Sequence, residues 1–391
     1  MTFSVHTHHP VEQVDFLVVG AGMAGASVAH WLSAHGQVVV LERESQPGYH
    51  TTGRSAAMYL EGYGSAQVQA LTLASREFLL HPPADFAAHP LMVRRGALMV
   101  ATVGQEAELS RHAAVLAELG VRHEVLTPAQ ASALVPVLRP ERVLGAVHEP
   151  DACDLDVHAM HQGFLKGARR HGGRVVCGAE VQALHHDGVA WQVRTPVGAW
   201  QAPVLVNAAG AWADTLATLA GVAPLGLVPY RRAAFTFAPP QGLDTQGWPM
   251  VYSAGEDWYF KPDAGLLLGS PANADATEPH DVQPEELDIA LGIHRLQEAT
   301  TLSIRRPAHT WAGLRTFAPD HSLVGGFDAV APGFFWLVGQ GGYGIQTAPA
   351  MGQACACLAS GQPLPAALAD RGLSAAVLGP ARLSTPGAGA P

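Results

Sequence analysis

Three glycines and one acid give the sequence its clearest chemistry. The glycines are Gly20, Gly22 and Gly25, and Glu42 follows 22 residues after the first of them. In this spacing the first glycine permits a tight turn, the second lets the backbone approach a pyrophosphate, and the third lets a helix pack on a strand. The helix N-terminus offers N–H groups to phosphates, and the acid accepts hydrogen bonds from ribose hydroxyls. The pattern predicts a dinucleotide site that would suit NAD or FAD.

A second glycine-rich turn lies near the end of the chain. Gly341, Gly342 and Gly344 follow an apolar strand predicted over 334–338 and open a helix predicted over 345–360. Such a turn presents N–H groups to developing negative charge, for example at the N1–C2=O side of a reduced flavin. The alternative is that these glycines only make the turn.

One group of residues resembles a metal site by composition. Its members are Asp151, Cys153, Asp154, Asp156, His158 and His161. His158 and His161 share a helical face at i,i+3. However, Asp156 also fits as the N-cap of a helix over 157–170, and His161 can pack against the preceding strand. We therefore predict no metal here.

The elements that must position these residues alternate along the chain. A strand over 15–19, a helix over 26–34 and a strand over 38–41 form a βαβ unit around the first glycines, and similar units recur at 204–212 and 334–360. Strand-rich segments separate them. The pattern predicts an α/β (α+β) fold, in which a discontinuous Rossmann-like nucleotide domain carries an inserted antiparallel-sheet substrate domain. The predicted boundaries are 12–66, 140–222 and 318–372 for the nucleotide domain, 67–139 and 223–317 for the substrate domain, and 1–11 and 373–391 for tails that drape or fray.

Composition excludes several classes of protein. The chain has 391 residues, 48% hydrophobic and 14% charged, with a formal net charge of −10. A nucleic-acid surface needs clustered Lys and Arg, so this charge argues against one. No apolar run approaches a membrane span, and residues 1–13 make a poor signal peptide. His6, His8 and His9 are expected in a disordered tail.

The cysteines indicate a reducing compartment. Cys153, Cys177, Cys355 and Cys357 form no disulfide framework, which suggests the cytoplasm. Cys355 and Cys357 lie in a predicted helix, where an i,i+2 pair points in different directions. We therefore expect neither a metal nor a redox role for them.

Further motifs carry a resemblance to a known family. They are residues 48–50, 52–57, 206–212, 259–265, 310–315 and 340–346. With the first glycine motif, they make the chain similar to the FAD-dependent D-amino-acid oxidase superfamily, which includes glycine oxidase and sarcosine oxidase. Within it, the closest resemblance is to the bacterial D-arginine dehydrogenases. The likeness extends from Val14 to about Leu373.

The resemblance implies noncovalent FAD. Glu42, Arg43 and the loop after them would contact the cofactor, Val181 would reach it through its backbone, and residues 342–346 would lie near the isoalloxazine ring. The implied cofactor contacts are Gly20, Gly22, Met23, Ala24, Gly25, Glu42, Arg43, Thr51, Thr52, Gly53, Arg54, Ser55, Ala56, Ala57, Met58, Val181, Ala209, Gly210, Trp212, Gly313, Arg315, Gly342, Tyr343, Gly344, Ile345 and Gln346.

The resemblance also implies a site for a small amino acid. Arg232 and Arg315 match the family's ligands for the substrate carboxylate, and Tyr63 and Tyr259 match its pocket tyrosines. An arginine fork pairs a carboxylate bidentately, and each charge-assisted bond contributes about 1.5–3 kcal/mol. Arg231 is expected in a surface ion pair. The implied substrate-site residues are Tyr63, Arg232, Tyr259, Arg315, Gln346, Met58, Leu60 and Ala97.

Three departures from D-arginine dehydrogenase bear on the substrate. That enzyme has histidine, threonine and glutamate where this chain has Met58, Leu60 and Ala97. Losing the partner of a buried cation costs about 3–5 kcal/mol, so the arginine preference is not expected here. We predict that the substrates are D-amino acids with apolar or aromatic side chains. The alternative is that Glu61 or Asp257 replaces the missing glutamate and binds a cationic side chain.

The implied reaction is oxidative deamination. A hydride passes from the substrate Cα to flavin N5, and the imino acid hydrolyses to a 2-oxo acid and ammonia, with no side-chain acid or base assigned. A D-amino acid dehydrogenase using a quinone-like acceptor is the leading interpretation. The alternatives are an oxidase using O2, an oxidase of N-methyl amino acids such as sarcosine, and a flavin-binding module without catalysis.

Overall fold

Six strands form a largely parallel sheet around the first glycine turn in this computed structural model, which describes residues 10–384. In spatial order they are Arg174–Val176, Val38–Leu41, Phe16–Val19, Val204–Asn207, Phe334–Val338 and Val324–Phe327. The last strand runs antiparallel to its neighbour, and the other pairs are parallel. All residues of the central strand Phe16–Val19 are buried, as expected for a parallel strand covered on both faces.

Both faces of this sheet are covered. Val18 and Val40 face the helices Met23–Leu32 and Ala348–Ala359. Leu17 lies in the core of the other face, against a four-stranded sheet. That second sheet consists of Val11–Gln13, Gly198–Ala202, Trp191–Thr195 and Ala183–His186.

A nine-stranded sheet forms the other half of the molecule. Its strands in spatial order are Asp275–Ala276, Val228–Phe237, Leu266–Ser270, Tyr259–Asp263, Met250–Ser253, Ala97–Ala101, Gly145–Glu149 and Glu124–Leu126, and His309–Phe317 also pairs with Val228–Phe237. Successive side chains of a strand point to opposite faces. Phe235 and Phe260 therefore lie in an apolar core on one face. Arg232, Tyr259 and Arg315 occupy the other face, which is turned toward the glycine turns.

A small sheet and the helices complete the described residues. Met58–Tyr59, Cys153–Leu155 and Met92–Arg94 form a three-stranded sheet. The α-helices are Met23–Leu32, Ala66–Leu80, Glu106–Glu118, Pro128–Leu134, Val157–Arg170, Ala213–Leu219, Glu286–Ala299, Ala348–Ala359, Ala366–Ala369 and Ala375–Leu378. Between residues 10 and 384, no helix has the length and apolar character needed to cross a bilayer.

The predicted mixed α/β class is confirmed, and one local expectation differs from the structure. The boundary at residue 140 would place strand Gly145–Glu149 in the nucleotide domain, but this strand pairs with Ala97–Ala101 in the nine-stranded sheet. The domain boundaries as a set stay a prediction. Of the two alternatives predicted for the C-terminal tail, residues 374–384 drape over the protein, since Leu378 is fully buried and Arg382 pairs with Asp320 at 2.7 Å. His6, His8 and His9 lie outside the described residues.

Candidate functional site

The first glycine turn has no room for side chains at two of its positions. Gly20 has φ +102°, and a Cβ there would lie 2.4 Å from the carbonyl oxygen of Ala208. A Cβ at Gly25 would lie 1.8 Å from the carbonyl oxygen of Gly20. Among the described residues, the N–H groups of Gly22 and Ala24 have no acceptor. The turn therefore presents backbone donors and the positive end of the helix dipole to an anion.

Glu42 is held in place by two backbone donors. One carboxylate oxygen accepts from the N–H of Ala21 at 2.9 Å, and the other accepts from the N–H of Glu44 at 3.0 Å. The side chain is buried, so these bonds also compensate its loss of water. Each oxygen keeps a lone pair that can accept from a hydroxyl.

His161 forms a hydrogen bond that supports the same turn. The sequence does not predict this contact. Its Nε2–H donates to the carbonyl oxygen of Ala21 at 2.9 Å, and its ring is buried. Burial lowers the pKa of His161, so the neutral ring is favoured. Asp156 caps its helix by accepting from the N–H of Ala159 at 2.8 Å. Within residues 10–384, no group of three or more His, Cys, Asp or Glu side chains could hold a metal ion.

The loop that follows strand Val38–Leu41 connects the first glycine turn with the nine-stranded sheet. Thr52 Oγ1 accepts from the N–H of Met23 at 2.9 Å, while the Thr51 hydroxyl donates to the carbonyl oxygen of Leu314 at 2.7 Å. Arg54 donates to the carbonyl oxygen of Ala312 at 3.0 Å. These bonds fix the loop across both halves of the molecule.

Near Glu42, aromatic and cationic side chains form a surface on which a flat ring system could lie. The Arg43 guanidinium lies 4.9 Å from the centre of the Trp212 ring, and the His50 ring lies 4.7 Å from that ring. Among the described residues, neither backbone polar group of Val181 has a hydrogen-bond partner. Val181 can thus bind a heterocycle through its backbone.

A single elongated cavity of about 300 Å³ runs between these features. Most of the predicted site residues line it: Gly20, Gly22, Met23, Ala24, Glu42, Arg43, Thr51, Thr52, Arg54, Ser55, Ala56, Val181, Ala209, Gly210, Trp212, Arg232, Tyr259, Gly313, Arg315, Gly342, Gly344 and Ile345. The others do not: Gly25, Gly53, Ala57, Met58, Leu60, Tyr63, Ala97, Tyr343 and Gln346.

The second glycine turn closes one end of the cavity. In the described part of the chain, the N–H groups of Gly342, Gly344 and Ile345 have no acceptor. A Cβ at Gly342 would lie 3.0 Å from Arg315 Nη1, so the turn packs closely on that guanidinium. The turn therefore offers three N–H donors beside a cation.

Two arginines meet at this end without an acidic partner. Arg232 Nε donates to the carbonyl oxygen of Asn273 at 2.5 Å, and Arg315 Nη1 donates to the Tyr63 hydroxyl at 3.5 Å. Across residues 10–384, neither Arg232 nor Arg315 lies within 4.0 Å of a carboxylate. Burial and then the charge of Arg315 lower the pKa of Arg232 to about 10. Two partly buried cations that lie near each other favour binding of an anion.

The adjacent Arg231 has the opposite environment. It points to the other side of the strand, where its Nε donates to Asp288 at 3.0 Å and its guanidinium also pairs with Glu285. Neighbouring arginines on one strand thus have different partners because side chains alternate between faces.

The remaining predicted residues lie around this end. Met58 packs against Tyr259, and the ring of Tyr63 lies 5.0 Å from that of Tyr343. Ala97 is fully buried. Gln346 is committed to the backbone: its amide accepts from the N–H of Leu60 at 3.1 Å and donates to the carbonyl oxygen of Leu60 at 3.2 Å. Gln346 thus holds the strand of Met58, and both N–H groups of its amide are used, one by Leu60 and one by the Thr72 hydroxyl.

The cavity fits a dinucleotide whose far end is an electron-poor ring. Backbone donors stand at its middle, an acid and a tryptophan at one end, and N–H donors with two arginines at the other. FAD would be held by Glu42 at a ribose, by the first turn with Thr51 and Thr52 at the pyrophosphate, and by residues 342–345 at the flavin.

Comparisons with known proteins agree with this fit. The family model "DAO: FAD dependent oxidoreductase" matches residues 15–358. Bovine FAD-dependent oxidoreductase domain-containing protein 1 is 24% identical, over 90% of this chain and 82% of its own. Human mitochondrial sarcosine dehydrogenase is 24% identical, over 87% of this chain and 39% of its own. The crystal structure of L-proline dehydrogenase from P. horikoshii superposes with a TM-score of 0.81 at 22% identity, covering 96% of this chain and 99% of the other.

Proposed function

Since the chain belongs to the DAO family of FAD-dependent oxidoreductases, we propose that it oxidises D-amino acids with apolar or aromatic side chains to imino acids, which hydrolyse to 2-oxo acids and ammonia. The observation that carries the substrate class is the pair Arg232 and Arg315, two partly buried guanidinium groups without a carboxylate partner among residues 10–384. A substrate carboxylate would supply the missing charge.

The chain's own residues orient the substrate. Arg232 and Arg315 would bind the carboxylate, and Tyr259 forms a wall beside them. Tyr63 would fix Arg315 through its hydroxyl. When bound, FAD supplies the hydride acceptor. The N–H groups of residues 342, 344 and 345 would stabilise negative charge at the ring, and the protein thus contributes position and electrostatics rather than a side-chain base.

The preference for an uncharged side chain rests on what surrounds Tyr259. Met58 and Met250 pack against it and offer no charge to a substrate cation. The alternative carboxylates have other partners. Glu61 accepts from the Tyr59 hydroxyl at 3.1 Å, and Asp257 Oδ2 lies 3.9 Å from Arg295 Nε, while neither carboxylate is among the residues that line the cavity. The preference for the D-enantiomer rests on the resemblance to D-arginine dehydrogenase, which itself stays a prediction.

Anaerobic mixing of the flavoprotein with single amino acids tests this proposal. D-Leucine, D-phenylalanine and D-methionine should bleach the flavin absorbance near 450 nm, and their L-enantiomers should not. Bleaching by D-arginine well ahead of these would contradict the side-chain assignment. Failure of every amino acid to bleach a flavin that dithionite reduces would contradict the function.

A second candidate is oxidation of N-methyl amino acids. The similarity to human sarcosine dehydrogenase favours it, because sarcosine carries the same carboxylate for Arg232 and Arg315. Sarcosine and D-proline in the anaerobic assay separate the two candidates. Subsequent reoxidation by O2 or by a quinone analogue would distinguish an oxidase from a dehydrogenase.

A further inference from the structure

A polar cluster around a buried carboxylate lies on the same face of the nine-stranded sheet as the two arginines. Glu149 Oε1 accepts from His112 Nε2 at 3.0 Å and from the Tyr252 hydroxyl at 3.2 Å. Glu149 is only 2% exposed, and burying a carboxylate is costly. We call these three residues the Glu149 cluster. The catalytic proposal above gives it no role.

The strand register places the cluster beyond Tyr259, which lines the cavity. Tyr252 is directly opposite Tyr259 on one neighbouring strand and opposite Met99 on the other. Ala97, two residues before Met99, is directly opposite Glu149. Directly paired residues share a face, as do residues two apart. The order across this face is therefore Tyr259, Tyr252, the strand of Ala97, and Glu149.

Tyr252 separates the cavity side of the face from the carboxylate. Its ring packs in the cluster of Met58, Met250 and Tyr259, and its hydroxyl reaches Glu149. The small side chain of Ala97 leaves room for this reach. Burial and then Glu149 raise the pKa of Tyr252, so its hydroxyl stays protonated and donates to the carboxylate.

Glu149 retains capacity for another donor. Among residues 10–384 its Oε2 has no hydrogen-bond partner, and Glu149 borders a small void of about 10 Å³ next to Arg122. His112 packs near the loop that carries Tyr63. A Cβ at Gly62 in that loop would lie 3.6 Å from His112 Cε1. Seen from Tyr259, which lines the cavity, the carboxylate thus lies behind Tyr252, and we take the region around Met58, Met250 and Tyr252 as the place for the substrate side chain.

We propose that Tyr252 is a specificity-determining residue, whose ring shields Glu149 from the substrate and restricts the site to uncharged side chains. Removing the ring opens Glu149 to the side-chain end, and a guanidinium or ammonium group then becomes acceptable there. This inference rests on the proposed function, because it places the substrate carboxylate on Arg232 and Arg315.

Two unreactive carboxylates test the shield without turnover. 4-Guanidinobutyrate has a cationic tail and 4-methylpentanoate an apolar one, and both can be titrated by the change they cause in flavin absorbance. In Tyr252→Ala, the dissociation constant of 4-guanidinobutyrate should fall about tenfold or more relative to that of 4-methylpentanoate, as expected for a new charge-assisted bond of about 1.5–3 kcal/mol. The ratio of kcat/KM for D-arginine over D-leucine should rise in parallel.

Three variants make the test specific. Tyr252→Phe keeps the ring and should keep the wild-type ratio of dissociation constants. Tyr252→Ala with Glu149→Gln should lose the gain for the cationic ligand while still binding 4-methylpentanoate. Tyr252→Val, which retains more apolar bulk, replaces Tyr252→Ala if the latter does not retain FAD.

The outcomes separate this inference from the proposed function. An unchanged ratio in Tyr252→Ala and Tyr252→Val, or a gain that survives Glu149→Gln, overturns the shield. A wild-type protein that no amino acid reduces overturns the proposed function, while the two titrations still report on Tyr252.

Discussion

The two ends of the cavity are built by different means. At the proposed cofactor end, the candidate binding groups are backbone N–H groups and glycines from short stretches such as 20–25 and 42–44. At the proposed substrate end, the candidate binding groups are side chains from strands far apart in sequence, including Arg232 and Arg315. From this difference we expect the cofactor end to be sensitive to changes in shape and the substrate end to be sensitive to changes in charge. The predictions below test that contrast.

The largest effect is expected at Gly25. In Gly25→Ala the new Cβ would lie 1.8 Å from the Gly20 carbonyl oxygen, so the turn must move. Overpacking of this kind costs about 1–3 kcal/mol, occasionally more, and here it also displaces the phosphate donors. We expect protein purified with little or no FAD, measured as the ratio of flavin to protein absorbance. Gly247→Ala is the matched control, because nothing lies within 4 Å of its Cβ. Full FAD content in Gly25→Ala would contradict the expectation that the cofactor end is sensitive to changes in shape.

The next largest effect is expected at Arg315. Arg315→Met removes a fork that would make two charge-assisted bonds of about 1.5–3 kcal/mol each, so kcat/KM for D-leucine should fall about 10²- to 10⁴-fold. FAD content should stay high, since the first turn is untouched. Arg231→Met is the control, because Arg231 pairs with Asp288 and Glu285 on the opposite face. A similar loss of kcat/KM in Arg231→Met would show that the two faces are not distinct.

A smaller effect is expected at Glu42. Glu42→Ala leaves the N–H groups of Ala21 and Glu44 without their acceptor and removes the proposed ribose contact. Lost hydrogen bonds of about 1–3 kcal/mol predict a rise in the FAD dissociation constant of about ten- to a hundredfold. Titration of the apoprotein with FAD, followed by flavin fluorescence, measures it. Glu180→Ala, which removes a surface partner of Arg43 at 3.4 Å, should change little. An unchanged constant in Glu42→Ala would exclude its role.

The smallest effect is expected at Tyr63. Its hydroxyl accepts from Arg315 at 3.5 Å, a long hydrogen bond. Tyr63→Phe should raise KM for D-leucine about threefold and leave kcat within about twofold. Tyr49→Phe, which loses a hydroxyl at the cofactor loop, serves as the control. A hundredfold loss of kcat in Tyr63→Phe would instead indicate a direct role in the reaction.

The sequence predicts more of the geometry at the cofactor end than at the substrate end, for a physical reason. The turn, the helix and Glu42 lie within one βαβ unit, so spacing along the chain translates directly into geometry. Strand Val38–Leu41 has the predicted bounds, and helix Val157–Arg170 follows the predicted cap at Asp156. His161 was missed because its acceptor is a backbone oxygen 140 residues away.

The substrate end depended on pairings that the sequence does not encode locally. Gln346 stands in a motif beside the glycine turn, yet its amide is used by Leu60. Glu149 was overlooked because it meets Ala97 only through the strand register. The sequence shows at Ala97 only that a carboxylate is missing, whereas the structure places Glu149 directly opposite on the facing strand, in contact with the Tyr252 hydroxyl. The pairing of strands that lie far apart in the chain is difficult to predict from a single sequence.

The central claim is that Arg232 and Arg315 hold a substrate carboxylate at the flavin. It is tested most directly by the rate of anaerobic flavin reduction with D-leucine and with D-leucinamide, in which an uncharged amide replaces the carboxylate. Loss of two charge-assisted bonds predicts reduction at least about a hundredfold slower with the amide. Equal rates with the acid and the amide would contradict the claim.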